Sequence, residues 1–291
     1  MRENTGQDAS GPESISPTQD ESSANQVSEP LLTPESERLI KILAEPVAVQ
    51  NPDRGTIFIS GVGKRIGFYL AEYFLAQGFK VAGTYRRYYP SIESLSALGA
   101  KLYCCDFSDT KQVEQLTEQI LAEHTELRAI IHNASDWLPD DNPLSAIATM
   151  GQMMAVHVSA PYHINLALRP LLLAGCQDEI GGRDIIHLTD YVAHQGSQKH
   201  IAYAASKAAL ANMTLSFAAK FAPQIKVNAI APALVLFNEG DDDAYRQKTL
   251  AKALLPREAG MDEIINAINY LMSSRYVCGR TLHVDGGRHL K

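Results

Sequence analysis

Cysteine is scarce in this chain. The four present, Cys104, Cys105, Cys176 and Cys278, have neither the paired spacing of a zinc site nor the pattern of a disulfide framework, and no metal is expected. Cys104 and Cys105 end an apolar run and read as core residues. Long apolar runs are missing, since none reaches the ~18 residues that a membrane helix needs. Basic excess is missing too: 26 Lys and Arg stand against 33 Asp and Glu. Nine of those acids and three of the bases fall in residues 1–50, leaving 24 and 23 beyond. A remainder so close to neutral carries no basic stripe, which argues against nucleic acid as a partner. The N-terminus shows no signal-peptide core, and its acidity argues against mitochondrial import. The expectation is a soluble protein of a reducing compartment, the cytoplasm.

What the chain does have is an alternation. Residues 1–32 are rich in Ser, Glu, Gln, Asn and Pro without apolar periodicity, and are expected to form a disordered acidic tail. Residues 33–54 hold a helix start at Thr33-Pro34-Glu35 and a linker after Pro46. Over residues 55–291, apolar runs alternate with helix-length spacers. The runs at 56–59, 80–85, 101–105, 128–132, 184–188, 225–230 and 281–284 read as strands. Helical periodicity at 66–77, 92–98, 113–123, 145–174 and 201–221 supplies the crossovers. Strands so connected are parallel, and the fold class is α/β: one Rossmann-type doubly wound sheet of about seven strands with helices on both faces.

Chemistry-bearing residues cluster at strand ends. The first strand runs into Ser60-Gly61-Val62-Gly63-Lys64-Arg65-Ile66-Gly67, which then opens a helix. Gly61 permits a tight turn, Gly67 permits close helix–strand packing, and the helix N-terminus offers N–H groups to a pyrophosphate. Gly61, Lys64, Arg65, Ile66 and Gly67 are therefore candidate cofactor contacts. After the second strand stand Arg86 and Arg87, where an acid would favour NAD and arginine accommodates the 2′-phosphate of NADPH. Trp137, the only tryptophan, follows the fourth strand and falls at the ligand crevice. Tyr203 and Lys207, four apart on a helix, share a face. A buried ammonium there is expected to lower the Tyr203 pKa and make the phenol a proton donor near neutral pH. Asp190 lies thirteen residues before Tyr203; a carboxylate suits N–H donors or proton delivery, whereas a hydroxyl would suit a ketone oxygen.

In this order the motifs resemble the short-chain dehydrogenase/reductase family over residues 55–291. The Tyr-x-x-x-Lys pair matches, as does the Thr-Gly-x-x-x-Gly-x-Gly turn apart from Ser60 and Arg65. Most of that family has Ser where Asp190 stands. Asp190, Arg65, Ser135 and Trp137 together resemble its pteridine reductase branch, as do Tyr85-Arg86, Tyr89-Pro90, His132-Asn133-Ala134-Ser135, Thr189-Asp190-Tyr191 and the stretch from Lys199 to Tyr203. The resemblance implies NADPH-dependent reduction of a 7,8-dihydropterin, such as dihydromonapterin or dihydrofolate. It implies Asp190, Tyr203 and Lys207 as catalytic residues, with Asn133, Ser135, Pro232, Tyr203 and Lys207 also bordering the cofactor. Arg65, Ser135, Trp137, Asp190 and Tyr203 would hold the substrate, Trp137 by stacking on the pterin. Asp106 is either a contact of the adenine or a turn acid, and Asn133 holds either the central sheet or the cofactor ribose. His157 stands where the family often has Asn, as a proton shuttle or as a satisfied core histidine. A homotetramer built through the long helices is implied in the same way. Residues 234–255 are expected to cover the substrate, with the acids of 239–243 opening a helix. Two rival readings are a carbonyl reductase of the same fold acting on a ketone or oxoacyl substrate, and a non-catalytic ligand sensor or scaffold.

Overall fold

Strands covered by helices on both faces need continuous apolar sequence rather than alternation, and the runs found in this chain meet that need. The computed structural model describes residues 54–174 and 180–291. The expected tail, the helix start at Thr33 and Cys176 lie outside the described residues. The first half contains β1 (Thr56–Ile59), α1 (Arg65–Ala76), β2 (Lys80–Tyr85), α2 (Pro90–Ala97), β3 (Lys101–Cys104), α3 (Thr110–Glu123) and β4 (Ala129–His132). There follow α4 (Ala146–Met154), a π turn (Ala155–Ser159), α5 (Ala160–Ala167), α6 (Arg169–Leu173) and β5 (Arg183–Leu188). The rest comprises α7 (Val192–Gln195), α8 (Ile201–Phe221), β6 (Ile225–Pro232), α9 (Asp243–Leu250), α10 (Met261–Ser273) and β7 (Thr281–Val284).

The seven strands form one sheet in the order β3-β2-β1-β4-β5-β6-β7, and every pair is parallel. This is the expected Rossmann-type architecture. Successive residues of a strand face opposite ways, so β1 feeds two cores. Phe58 joins Ile130, Ile185, Leu116, Ile164 and Phe217 on one face. Ile57 and Ile59 join Ile131, Ile186, Leu70, Phe74 and Ile268 on the other. The strand order reverses between β1 and β4, which opens a crevice at their carboxyl ends.

The structure departs from the sequence reading in several places, the short helix α7 among them. The helix expected over 145–174 is broken, because Pro161 has no N–H for the carbonyl four residues back and the chain widens into a π turn before it. Cys104 is exposed and only Cys105 is buried, since strand alternation turns neighbours to opposite sides and the β3 edge leaves one side uncovered. Helix α10 had no counterpart in the sequence reading. The acids at 239–243 do open a helix, with the Asp242 carboxylate accepting from the Tyr245 N–H at 2.7 Å. Among the described residues no helix is long and apolar enough to cross a membrane.

Candidate active site

Between β1 and α1 the chain reverses over a few residues, and two glycines make that possible. Gly61 has φ +76°, and a Cβ there would lie 2.8 Å from the Ala134 Cα. At Gly67 a Cβ would fall 2.0 Å from the Gly61 carbonyl oxygen. The turn is tied to both neighbouring strands. The Gly61 N–H donates to Thr84 Oγ1 at 3.1 Å, and Asn133 Nδ2 donates to the carbonyls of Ser60 and Gly61 at 3.1 and 2.9 Å. Asn133 thus serves the sheet and its turn. Lys64 precedes α1 without a side-chain capping bond, so the positive end of that helix keeps its first N–H groups for an anion.

A groove of about 440 Å³ lies at this turn, walled by Gly61, Lys64, Arg65, Ile66, Arg86 and Arg87. Asn133, Ser135 and Trp137 close its other side. Six expected contacts are not among its lining residues: Gly67, Asp106, Pro232, Asp190, Tyr203 and Lys207. Gly67 packs beneath the turn. Asp106 is the turn acid, its Oδ1 accepting from the Ser108 N–H and hydroxyl at 2.9 and 2.8 Å. Pro232 ends β6, and its carbonyl accepts from the Tyr191 N–H at 3.0 Å. A larger cavity of about 510 Å³ lies between α9, α10 and β7, away from the glycine turn. Of the two, the first borders that turn and the residues that follow β2 and β4.

The arginines of the groove differ in what holds them. Arg86 donates through both terminal nitrogens to Asp136, each at 2.7 Å. Burial pushes the Asp136 carboxyl up, but the bonds from Arg86 and Gln152 and the arginine charge outweigh it, leaving the acid below its usual range. Arg87, by contrast, has no hydrogen-bond or ion-pair partner among the described residues. Arg65 has a left-handed backbone, φ +52°, uncommon for a residue with a side chain. Its guanidinium reaches the segment after β6, donating to the Leu236 carbonyl at 2.8 Å and to Asn238 Oδ1.

Deeper in, the end of β5 stays paired with β6 through Thr189 and Tyr191, which fixes Asp190 between them. The Asp190 Oδ1 accepts from the Val192 N–H at 3.0 Å and its Oδ2 accepts from the Tyr203 hydroxyl at 2.8 Å. One turn further along α8, Lys207 Nζ donates to the Leu188 carbonyl at 2.8 Å. Burial lowers the lysine to about 8, against an opposing pull from Asp190. Burial also raises Asp190, although Val192, Tyr203, Lys207 and Arg288 all act against it. Tyr203 is held well above the ordinary tyrosine value, first by burial and then by the charge and hydrogen bond of Asp190, with Ser135 opposing. This corrects the expectation that Lys207 lowers the tyrosine. The ammonium is engaged by a backbone carbonyl, and the phenol's direct partner is an anion.

His157 is a satisfied core histidine. Its Nε2 accepts from the Asp136 N–H at 3.2 Å, so the proton resides on Nδ1, which donates to Ser206 Oγ at 2.8 Å. Burial and the nearby Lys207 hold it well below the usual histidine value, and therefore neutral.

The family model described as enoyl-(acyl carrier protein) reductase matches residues 61–289. Dihydromonapterin reductase of Klebsiella pneumoniae is 50% identical over 235 residues, covering 81% of this chain and 97% of its own. Its counterpart from an Enterobacter species is 50% identical over 240 residues, covering 82% and 99%. The solved FolM alternative dihydrofolate reductase 1 of Brucella canis, complexed with NADP, superposes with a TM-score of 0.72 at 25% identity, over 82% of this chain and 95% of that one. The chain belongs to the short-chain dehydrogenase/reductase family.

In this short-chain dehydrogenase/reductase, several site residues escape sequence reasoning. Asp136 anchors Arg86, and Gln152 Nε2 donates to the same carboxylate at 2.8 Å. Asp140 and His200 fasten the Trp137 loop to the start of α8. Arg288 lies 4.2 Å over the Tyr191 ring and helps restrain Asp190. Only Asp136, an acid between two predicted residues, had any local signal. The others are made by contacts between loops distant in sequence.

Proposed function

We propose that this short-chain dehydrogenase/reductase uses NADPH to reduce 7,8-dihydropterins, dihydromonapterin and also dihydrofolate, to their tetrahydro forms. The observation that carries this reading is the Asp190–Tyr203 pair, in which Asp190 stands where most of the family has a serine. A hydroxyl suits a ketone oxygen, whereas a carboxylate accepts from the amino and ring N–H groups of a pterin. A carboxyl raised by burial can also hold a proton for a ring nitrogen. The dihydromonapterin reductases at 50% identity and the NADP-bound FolM structure support the same reading.

NADPH, when bound, supplies the hydride. The open N-terminus of α1 and the Gly61–Gly67 turn suit its pyrophosphate, and Arg87 with Arg86 suits the 2′-phosphate. Lys207 would hold the cofactor ribose. Asp190 and Tyr203 grip the pterin and hold the proton that N5 gains, while Trp137 covers the ring and Ser135 borders it. Arg65 joins the cofactor turn to the segment that covers the substrate. We further place the protein in the cytoplasm, where NADPH is the common reductant, as a homotetramer. The exposed Ile147, Met150, Tyr162, Leu166 and Leu215 on α4, α5 and α8 support assembly through those helices, and light scattering after gel filtration tests it.

The deciding assay is NADPH oxidation with dihydromonapterin, dihydrobiopterin and dihydrofolate side by side. Asp190→Ser is expected to lose pterin turnover while still binding NADPH. Unchanged turnover would sink the assignment, and activity on ketones but not on dihydropterins would favour a carbonyl reductase.

A further inference from the structure

Trp137 is 64% exposed, yet its indole has a fixed neighbour. It stacks on the imidazole of His200 with centroids 4.0 Å apart and planes 29° from parallel. Trp137 lines the groove and His200 does not. The imidazole is itself fixed, because its Nδ1–H donates to the Leu138 carbonyl at 3.1 Å. Around this stack two segments are fastened together. The Asp140 N–H donates to the Lys199 carbonyl at 2.9 Å, and the Asp140 carboxylate accepts from the N–H groups of Ile201 and Ala202 at 2.8 and 3.4 Å. Helix α8 has no capping bond from its own preceding side chain, so Asp140 supplies the cap from across the loop.

An exposed indole on a loop would otherwise sample several rotamers, and a ligand that stacks on it would have to order it first. We propose that His200 is a positioning residue for the substrate ring: it holds Trp137 flat against the groove so that a planar bicyclic heterocycle finds a preformed stacking surface. The proposal rests on the dihydropterin reading above. It makes the Trp137–His200 stack the feature that favours a flat ring over an open-chain ketone, and it places that feature three residues before Tyr203 on the same segment.

The test uses the full chain with His200→Ala and His200→Phe. NADPH oxidation gives kcat and both KM values, and the emission of Trp137, the only tryptophan, reports the stack directly. In His200→Ala, the KM for dihydromonapterin should rise about three- to tenfold, the range of an aromatic pair, while kcat and the KM for NADPH stay put. The ligand-free emission should move to longer wavelength as water reaches the second indole face. His200→Phe should restore most of both, since a phenyl ring keeps the stack although it loses the bond to Leu138. A wild-type pterin KM in His200→Ala would overturn the proposal. So would an equal loss of kcat and NADPH affinity in both variants, which would mark His200 as a support of α8 only. If the wild-type chain itself oxidises no NADPH with any dihydropterin, the functional reading fails first and this role falls with it.

Discussion

The Tyr203 hydroxyl donates to Oδ2 of Asp190 at 2.8 Å, while Lys207 one turn away donates to the Leu188 carbonyl. The two charged groups that flank the phenol therefore act unequally, and the anion is the one in contact. Asp190→Asn keeps an acceptor in place but removes the charge. Tyr203 should then ionise at lower pH than in the wild type, read from the tyrosinate difference spectrum with Tyr203→Phe as blank. Pterin turnover should fall about a hundredfold or more, the low end for loss of a general acid or base. An unmoved tyrosinate titration would show that burial alone sets the phenol.

Lys207 yields a pH signature. Burial brings it down to about 8, against about 10.4 for an unfolded lysine. Between those values the unfolded chain binds the extra proton, so stability rises with pH across that window, and the full penalty is present below it. Relative to Lys207→Met, wild-type stability measured by urea unfolding should improve by an amount on the order of 2–3 kcal/mol from pH 8 to above pH 10. Activity should move the other way. The kcat/KM for NADPH should fall above pH 8 as the ammonium is lost, and Lys207→Arg should displace that limb upward.

Arg65 combines a left-handed backbone with a reach across the groove. Arg65→Gly removes a conformational cost of about 1 kcal/mol together with both bonds to the segment after β6. Thermal stability should hold or rise slightly, while both KM values rise and limited proteolysis within residues 236–255 accelerates. A lower melting temperature with unchanged KM values would contradict the role of Arg65 as the tie to that segment.

At the opposite end of the sheet, Asp184 meets Arg128 and Lys226 at 2.6 Å each. These residues lie at or beside the starts of β4, β5 and β6, away from the crevice. Removing the shared anion leaves two cations without their partner, so Asp184→Asn should cost about 3–5 kcal/mol in urea unfolding. The kcat of the folded fraction should not change, since the site sits at the other strand ends.

The sheet was legible because each strand is a short apolar run bounded by helix-length spacers, and its edges came within a residue or two. Helix α10 was not, although Ile264, Ala267, Ile268 and Leu271 are spaced for one buried face. Gly260 precedes it with φ +83° and no capping side chain, so no Ser, Thr or Asp marked its start. In the site, the motifs along the chain named residues that the structure sets around one groove, such as Arg65, Arg86, Asn133, Ser135 and Trp137, and paired Asp190 with Tyr203. The partners those residues choose did not follow from local pattern: Arg86 finds Asp136 fifty positions away, and His200 meets Leu138 sixty-two positions away. The direction of the Tyr203 shift depended on which neighbour the phenol touches, which spacing along a helix cannot state.

The π turn at Ala155–Ser159 makes residue number itself a structural variable. Its wider winding brings His157 under Ser135 and Asp136, whose hydroxyl and N–H meet one ring nitrogen. Deleting a single residue there would let the segment rewind as ordinary α-helix with its flanks nearly in register, and would withdraw the bulge that presents His157 to Ser135 and Asp136. The groove wall would lose its underpinning although every functional side chain remained in the sequence. For this chain, the count of residues between β4 and α5 is as much a part of the site as their identity.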